Sequence, residues 1–270
     1  LGATPMRQII ATTTRSDLGV VTSDGRVLRV HAADVPLASV SSASPTMDEF
    51  IGASGPLISV GLIDLSSPEP FALGTSQGVV KRVNADYPKS DEFEVIKLRP
   101  ADRVVGISYA SDQADLVFIT LGAQILRFSA ATVRPQGRLG SGVTGISLSQ
   151  GDSVIWFGAV IEPDQANVCT IANSSASLAG TDPGSYKVTP MRDVPKKGRA
   201  TGGVRIHKFL KNENQLAKGY ASDFPINLIG PKEKQIRVSE RISKRDASGE
   251  ALTEVCVAFG FPADSAKHTN

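Results

Sequence analysis

The side chains in this chain with the most to offer chemically are its 29 lysines and arginines, because they recur. Arg26 and Arg29 follow Gly25 by one and four positions, and Lys81 and Arg82 follow Gly78 by three and four. Arg127 follows Ala123 by four, and Arg237 falls in a fifth, weaker copy of the same pattern. A second set lies between the copies: Arg134 and Arg138, then Lys196, Lys197, Arg199, Arg205 and Lys208. Cations gathered in this way suit a polyanionic partner. Gly137, Gly140, Gly142, Gly198, Gly202 and Gly203 are interspersed in the second set, where a missing Cβ lets backbone approach a phosphate, or simply lets the chain turn. The plain alternative is a solvated charged face.

Other chemistries find little support. His31, His207 and His268 are far apart and lack ligand spacing, and Cys169 and Cys256 form no metal or redox motif. Asp102-Arg103 and Gly151-Asp152 read as turn residues rather than a catalytic carboxylate pair. There is no P-loop. The expectation is therefore no catalytic residue, no metal and no cofactor. The basic residues are not interleaved with an aromatic ladder, which argues against single-strand or RNA readout by stacking.

Charge is unevenly spread. The formal net charge is only +2. Ala32 to Val80 nevertheless contains no Lys or Arg against Asp34, Asp48, Glu49, Asp64 and Glu69, while Lys187 to Arg245 contains 15 basic and 5 acidic residues. A polyanion partner on one side of the molecule fits that asymmetry. Composition is that of a globular domain, 41% hydrophobic and 21% charged. No apolar run approaches the ~20 residues of a spanning helix, and Leu1 to Arg7 lack the order of a signal peptide. A start on Leu rather than Met reads as an excised fragment. The expected setting is a reducing cytoplasm, with no membrane partner.

The elements that must position these residues are strands. Short runs of Val, Ile, Leu, Thr and Phe are broken by Gly, Pro, Asp and Ser, with hairpin turns at Ser23-Asp24-Gly25 and Ser76-Gln77-Gly78. The hairpins repeat. GVVTSDGRVLRVHAADVP (Gly19 to Pro36) matches FALGTSQGVVKRVNADYP (Phe71 to Pro88) nearly column by column. Further copies run from Leu116 to Pro135, Ser177 to Pro195 and Ile226 to Lys244, with turns near residues 25, 78, 123, 184 and 234. A four-stranded unit every ~50 residues is the signature of propeller blades. The predicted fold is all-β, with about five four-stranded blades at roughly 7–65, 70–110, 114–160, 166–221 and 224–260. They form one domain over 1–262 with a tail at 263–270. Ala32, Ala33, Ala85, Ala130 and Ala131 are candidates for close packing between blades.

The TSxGxVxR-type hairpin, the Asp-x-Pro exit, the GRxxxGV loop and the IxLxxGDxV strand pair together resemble the C-terminal domain of type IIA DNA topoisomerase A subunits, of gyrase or topoisomerase IV. The likeness spans roughly Arg7 to Val238 and is most specific from Ala114 to Val160; a second GRxxxGV copy is GRATGGV, Gly198 to Val204. It implies a β-pinwheel, whose blades exchange strands and number five or six in the intact protein. It also implies a basic rim that bends or wraps duplex DNA without sequence preference. The implied partners are the catalytic core of the same chain and the ATPase B subunit, with the domain itself monomeric and chromosome-associated. Type IIA cleavage uses a tyrosine beside an arginine; none of Tyr87, Tyr109, Tyr186 and Tyr220 follows an Arg.

Two departures bear on the subfamily. Nothing matches the gyrase box Gln-Arg-Arg-Gly-Gly-Lys-Gly, which would then lie before Leu1, and the stretch from Ala32 to Val80 is acidic where a wrapping rim is basic. Both favour a topoisomerase IV-like protein with a short arc of DNA contact. The other function class in play is a propeller that serves only as a protein-interaction platform.

Overall fold

A computed structural model describes residues 8–36, 45–178, 180–231, 234–239 and 241–261. Twenty strands follow one rule. The first blade is built on the hairpin β1 (Asp17–Thr22) and β2 (Arg26–His31), with β3 (Ser59–Asp64) returning beside β1. Blade 2 has the hairpin β4 (Phe71–Thr75) and β5 (Val79–Val83). The chain then crosses back to lay β6 (Glu92–Glu94) on β2 before β7 (Val104–Tyr109) returns to β4. Blade 3 repeats this with β8 (Asp115–Thr120), β9 (Gln124–Ser129), the crossing strands β10 (Pro135–Gln136) and β11 (Val143–Thr144) on β5, and β12 (Val154–Val160) on β8.

Blade 4 has β13 (Asn167–Asn173), β14 (Ser185–Pro190), the crossing β15 (Val204–Arg205) on β9, and β16 (Gln215–Ser222). Blade 5 has β17 (Asn227–Ile229), β18 (Gln235–Ile236), the crossing β19 (Glu250–Ala251) on β14, and β20 (Ala258–Gly260). Each of blades 1 to 4 thus borrows its outer strand from the next one. The all-β expectation, the five blades and the strand exchange are all present. The sheets are not uniform: β11 adds a fifth strand in blade 2, and blade 5 has three.

Exchange is forced by burial. A single small sheet cannot cover both of its faces, and β4, β5 and β8 are buried along their whole length. The apolar clusters lie between blades rather than within them. Ala72 and Val80 of blade 2 pack with Leu116, Phe118, Phe128 and Phe157 of blade 3, and Val117, Ile119 and Ile125 of blade 3 pack with Val168 and Leu216 of blade 4. The returning strands β3, β7, β12 and β16 pack on one another from blade to blade, which puts the crossing strands at the opposite, outer edge of each sheet.

Close approach between blades depends on glycine. A Cβ on Gly106 of β7 would stand 2.1 Å from the Phe157 carbonyl oxygen of β12, and one on Gly219 of β16 would stand 2.7 Å from Ile119 Cγ2. Of the alanines singled out for this role one performs it, Ala130, in the cluster between blades 2 and 3. Only Ala130 is buried, while Ala33 and Ala131 are exposed and Ala32 and Ala85 half-exposed, because they sit where the chain leaves the hairpin.

Candidate nucleic-acid interface

The arginines that recur four positions after the turn are staples between blades. Arg29 Nη1 reaches Asp17 Oδ2 at 2.7 Å, and its guanidinium donates to the carbonyls of Pro88 (2.6 Å) and Ser90 (3.3 Å) in the next unit. Arg82, 4% exposed, meets Asp112 at 2.6 Å and donates to the carbonyls of Ala110, Ala130 and Val133. Arg127 pairs with Asp115 at 3.3 Å and donates to Met191 O at 3.0 Å. In blades 3 and 4 the acceptors belong to the short 3-10 turns or their edge, Ala130–Thr132 and Met191–Asp193, that follow the hairpin. The same junction recurs, so the same residue recurs.

This corrects the expectation that Arg29, Lys81, Arg82 and Arg127 contact DNA. Lys81 is fully buried, and its Nζ donates to the carbonyls of Val95 (2.7 Å), Arg138 (2.7 Å) and Gly140 (2.8 Å). Lys187 of blade 4, at the equivalent position, donates to the carbonyls of Lys244, Arg245 and Ala247. Burial lowers both lysines to about 8. Arg26 is half-exposed but is paired with Glu92 and, at 4.0 Å, with Glu94 of β6. A side chain with these commitments has little left for a phosphate.

The second set is differently placed. Arg134, Lys196, Lys197, Arg205, Lys208 and Arg237 are exposed, and Arg138 and Arg199 half-buried. All lie on the crossing segments, at the outer edge of the sheets. Three have local ties: Lys196 Nζ sits 2.5 Å from Asp115 Oδ1, Arg199 donates to Thr144 O, and Lys197 Nζ donates to Gly203 O. The same segments carry basic residues not picked out from the sequence: Lys89, Lys97, Arg99, Arg241 and Lys244, all exposed. A signal was available for Lys89, Lys97 and Arg99, which follow Pro88 at the end of the blade 2 hairpin, but not for Arg241 and Lys244, which no Pro or 3-10 turn precedes after β18. The segment leaving β2 is the exception. Asp34, Asp48 and Glu49 lie there without any Lys or Arg, and Glu49 closes a capping box with Thr46 on the short helix Met47–Phe50.

The remaining titratable groups are structural. His207, 1% exposed, meets Thr170 Oγ1 at 2.9 Å through Nδ1, and burial beside Lys187 lowers its pKa to about 4. Ser185 lies on its other side and donates to Glu213 at 2.5 Å. Burial pushes the Cys169 and Cys256 thiols up. Tyr109 and Tyr186 hydroxyls accept from the Asp64 and Ser239 amides. Among the described residues no three His, Cys, Asp or Glu side chains form a group that could hold a metal.

A family model described as the DNA gyrase C-terminal domain, a β-propeller, matches residues 18–39, 114–160 and 178–213. These are the first hairpin, the whole of blade 3, and the second hairpin strand of blade 4 with its crossing. The chain is similar in sequence to the C-terminal domain of type IIA topoisomerase A subunits over these stretches, and similar in fold. The DNA gyrase A protein of Staphylococcus aureus (strain MRSA252) is 28% identical over 205 residues, which cover 73% of this chain and 22% of that protein. The chain therefore spans about a fifth of the length of the curated relatives it matches.

Among solved structures, the C-terminal domain of DNA topoisomerase IV superposes with a TM-score of 0.74 at 20% identity, covering 89% of this chain and 76% of that one. The DNA gyrase A C-terminal domain gives 0.67 at 18% identity, covering 93% and 84%. The E. coli ParC C-terminal domain gives 0.60 at 15%, covering 92% and 100%. These structures share the fold of this chain.

Proposed function

We propose that this domain is a non-catalytic binder of duplex DNA that holds a segment against its crossing strands, bends it, and so presents it for strand passage by a type II topoisomerase. The observation that carries the reading is the concentration of exposed basic residues on the outer crossings of blades 2 to 5, in a chain similar to the DNA gyrase C-terminal domain. Phosphate neutralisation there would release counterions whatever the base sequence. The intact protein would be the A subunit of an ATP-dependent isomerase working with an ATPase B subunit. In that setting the domain is a monomeric appendage of its own catalytic core, placed on the bacterial chromosome. No helix among the described residues is long and apolar enough to cross a membrane.

The acidic segment leaving β2 supports the topoisomerase IV-like subfamily, because it would interrupt a basic track that continued onto blade 1. The test is a mobility shift on a mixed-sequence duplex. Replacing Lys197, Arg205 and Lys208 together with Gln should weaken binding at least tenfold, whereas replacing Asp48 and Glu49 with Asn and Gln should leave it within twofold. Equal effects from the two sets, or no binding by the unaltered domain, would refute the reading. Relaxation or ATP turnover by the domain alone would refute its non-catalytic part.

A further inference from the structure

Lys81 presents a physical problem, since a buried ammonium with no carboxylate partner is costly unless its surroundings satisfy it. The fold itself does not ask for it. At the same position, three residues after the turn, blades 1 and 3 have Leu28 and Leu126, and only blades 2 and 4 have Lys81 and Lys187. What Lys81 does is draw the carbonyls of Arg138 and Gly140 inward, at 2.7 and 2.8 Å from Nζ.

In a planar trans peptide the N–H of the next residue points opposite to the carbonyl, and no described peptide here is cis. With the 138 and 140 carbonyls drawn in, the N–H groups of Leu139 and Ser141 face out from the loop. Neither donates to any group among the described residues. Arg138 has no ion-pair partner there, and Leu139 is 64% exposed at the tip. The Gly140 amide between them donates to Gly137 O, so the loop offers an anion two outward amides, one on each side of Gly140, with a guanidinium beside them.

We propose that Lys81 organises a phosphate seat on the loop 138–141, in which the amides of Leu139 and Ser141 and the Arg138 guanidinium hold one phosphate of bound duplex DNA. The proposal deepens the duplex-binding reading and rests on it. Lys81 is a positioning residue and never touches the anion. Asp86, Asn84 and Gln136 line one cleft with Arg138, Leu139 and Gly140, so the phosphate must sit on the face of the loop turned away from Asp86. Lys187 draws in the carbonyls of 244, 245 and 247 in the same way, but Asp246 is exposed on that loop and opposes an anion.

The test is an amide spectrum of the 15N-labelled domain titrated with a mixed-sequence 20-base-pair duplex, beside affinities of Lys81→Met and Arg134→Gln. The seat requires the Leu139 and Ser141 amides to shift downfield on duplex binding. Arg134→Gln should weaken binding while keeping those two shifts. Lys81→Met should weaken it about tenfold, the worth of a charge-assisted contact or two, and abolish them. Duplex binding without movement of the two amides overturns the seat and leaves the duplex reading intact, a result that does not depend on how well Lys81→Met folds. A folded Lys81→Met that binds like the unaltered domain overturns it as well. No duplex binding by the unaltered domain overturns both.

Discussion

Replacing Arg82 with Met separates the stapling role of the recurrent arginines from a role in DNA contact. The guanidinium is 4% exposed and serves three buried backbone acceptors, the carbonyls of Ala110, Ala130 and Val133, in addition to Asp112. Met fills most of the volume but donates nothing, so the Ala110 and Val133 carbonyls at the junction of blades 2 and 3 lose this donor and the Ala130 carbonyl keeps only the Val133 amide. Asp112 is 68% exposed and is re-solvated, so its contribution is small. Removing one member of a buried, hydrogen-bonded charge arrangement costs about 3–5 kcal/mol. For a domain of this size that is a fall in Tm of roughly 6–20 °C. The assay is a thermal melt followed by circular dichroism, with duplex affinity measured well below the transition. The expected result is a large loss of Tm with affinity within twofold of the unaltered domain. A Tm unchanged within 2 °C together with several-fold weaker binding would refute the staple and restore Arg82 to the DNA surface.

Gly106→Ala should cost at least about 2 kcal/mol, since its Cβ would meet the Phe157 carbonyl oxygen at 2.1 Å, and a denaturant titration reads this directly. His207 has a folded pKa of about 4 against 6.5 unfolded, so the unfolded chain takes up the proton first as pH falls. Its contribution is intact above pH 6.5 and is lost between 6.5 and 4, by about 3 kcal/mol at most, and His207→Gln should flatten that part of the stability profile. Binding confined to two or three blades should give a slope of log K against log salt of roughly −3 to −5 and little trapped supercoil on nicked circles after ligation. A steep slope with a large linking-number change of one sign would point to full wrapping.

The hairpins were legible because each carries its own punctuation, a turn Gly between apolar runs, repeated often enough to reveal the blade. The crossings were not. Glu92–Glu94, Pro135–Gln136, Val204–Arg205 and Glu250–Ala251 are two or three residues long, polar or mixed, and become strands only because a neighbour's edge awaits them. The basic residues were half legible for a related reason. Periodicity marks a position that every blade needs, and it reads the same whether the residue faces a partner or the next blade. A discriminating signal was present: Asp17 and Asp115 each stand twelve residues before Arg29 and Arg127, across the same hairpin. In the fully buried β5, neighbours cover both faces, so the alternation that would have separated Lys81 from an outward residue is missing.

Strand borrowing also has a consequence on the ribosome. β2 ends at His31, and the strand that covers its edge begins at Glu92, so the nascent chain grows by about 60 residues, or roughly 3–12 s of synthesis, while that edge is open. Comparable intervals recur at β5, β9 and β14, from Val83 to Pro135, Ser129 to Val204 and Pro190 to Glu250. An uncovered edge recruits strands from other chains unless a charge deters them. Arg26 and Arg29 on β2, Lys81 and Arg82 on β5, Arg127 on β9 and Lys187 on β14 each supply one during that interval. The cations that later staple or clamp the finished ring are therefore gatekeepers against aggregation while it is still being made.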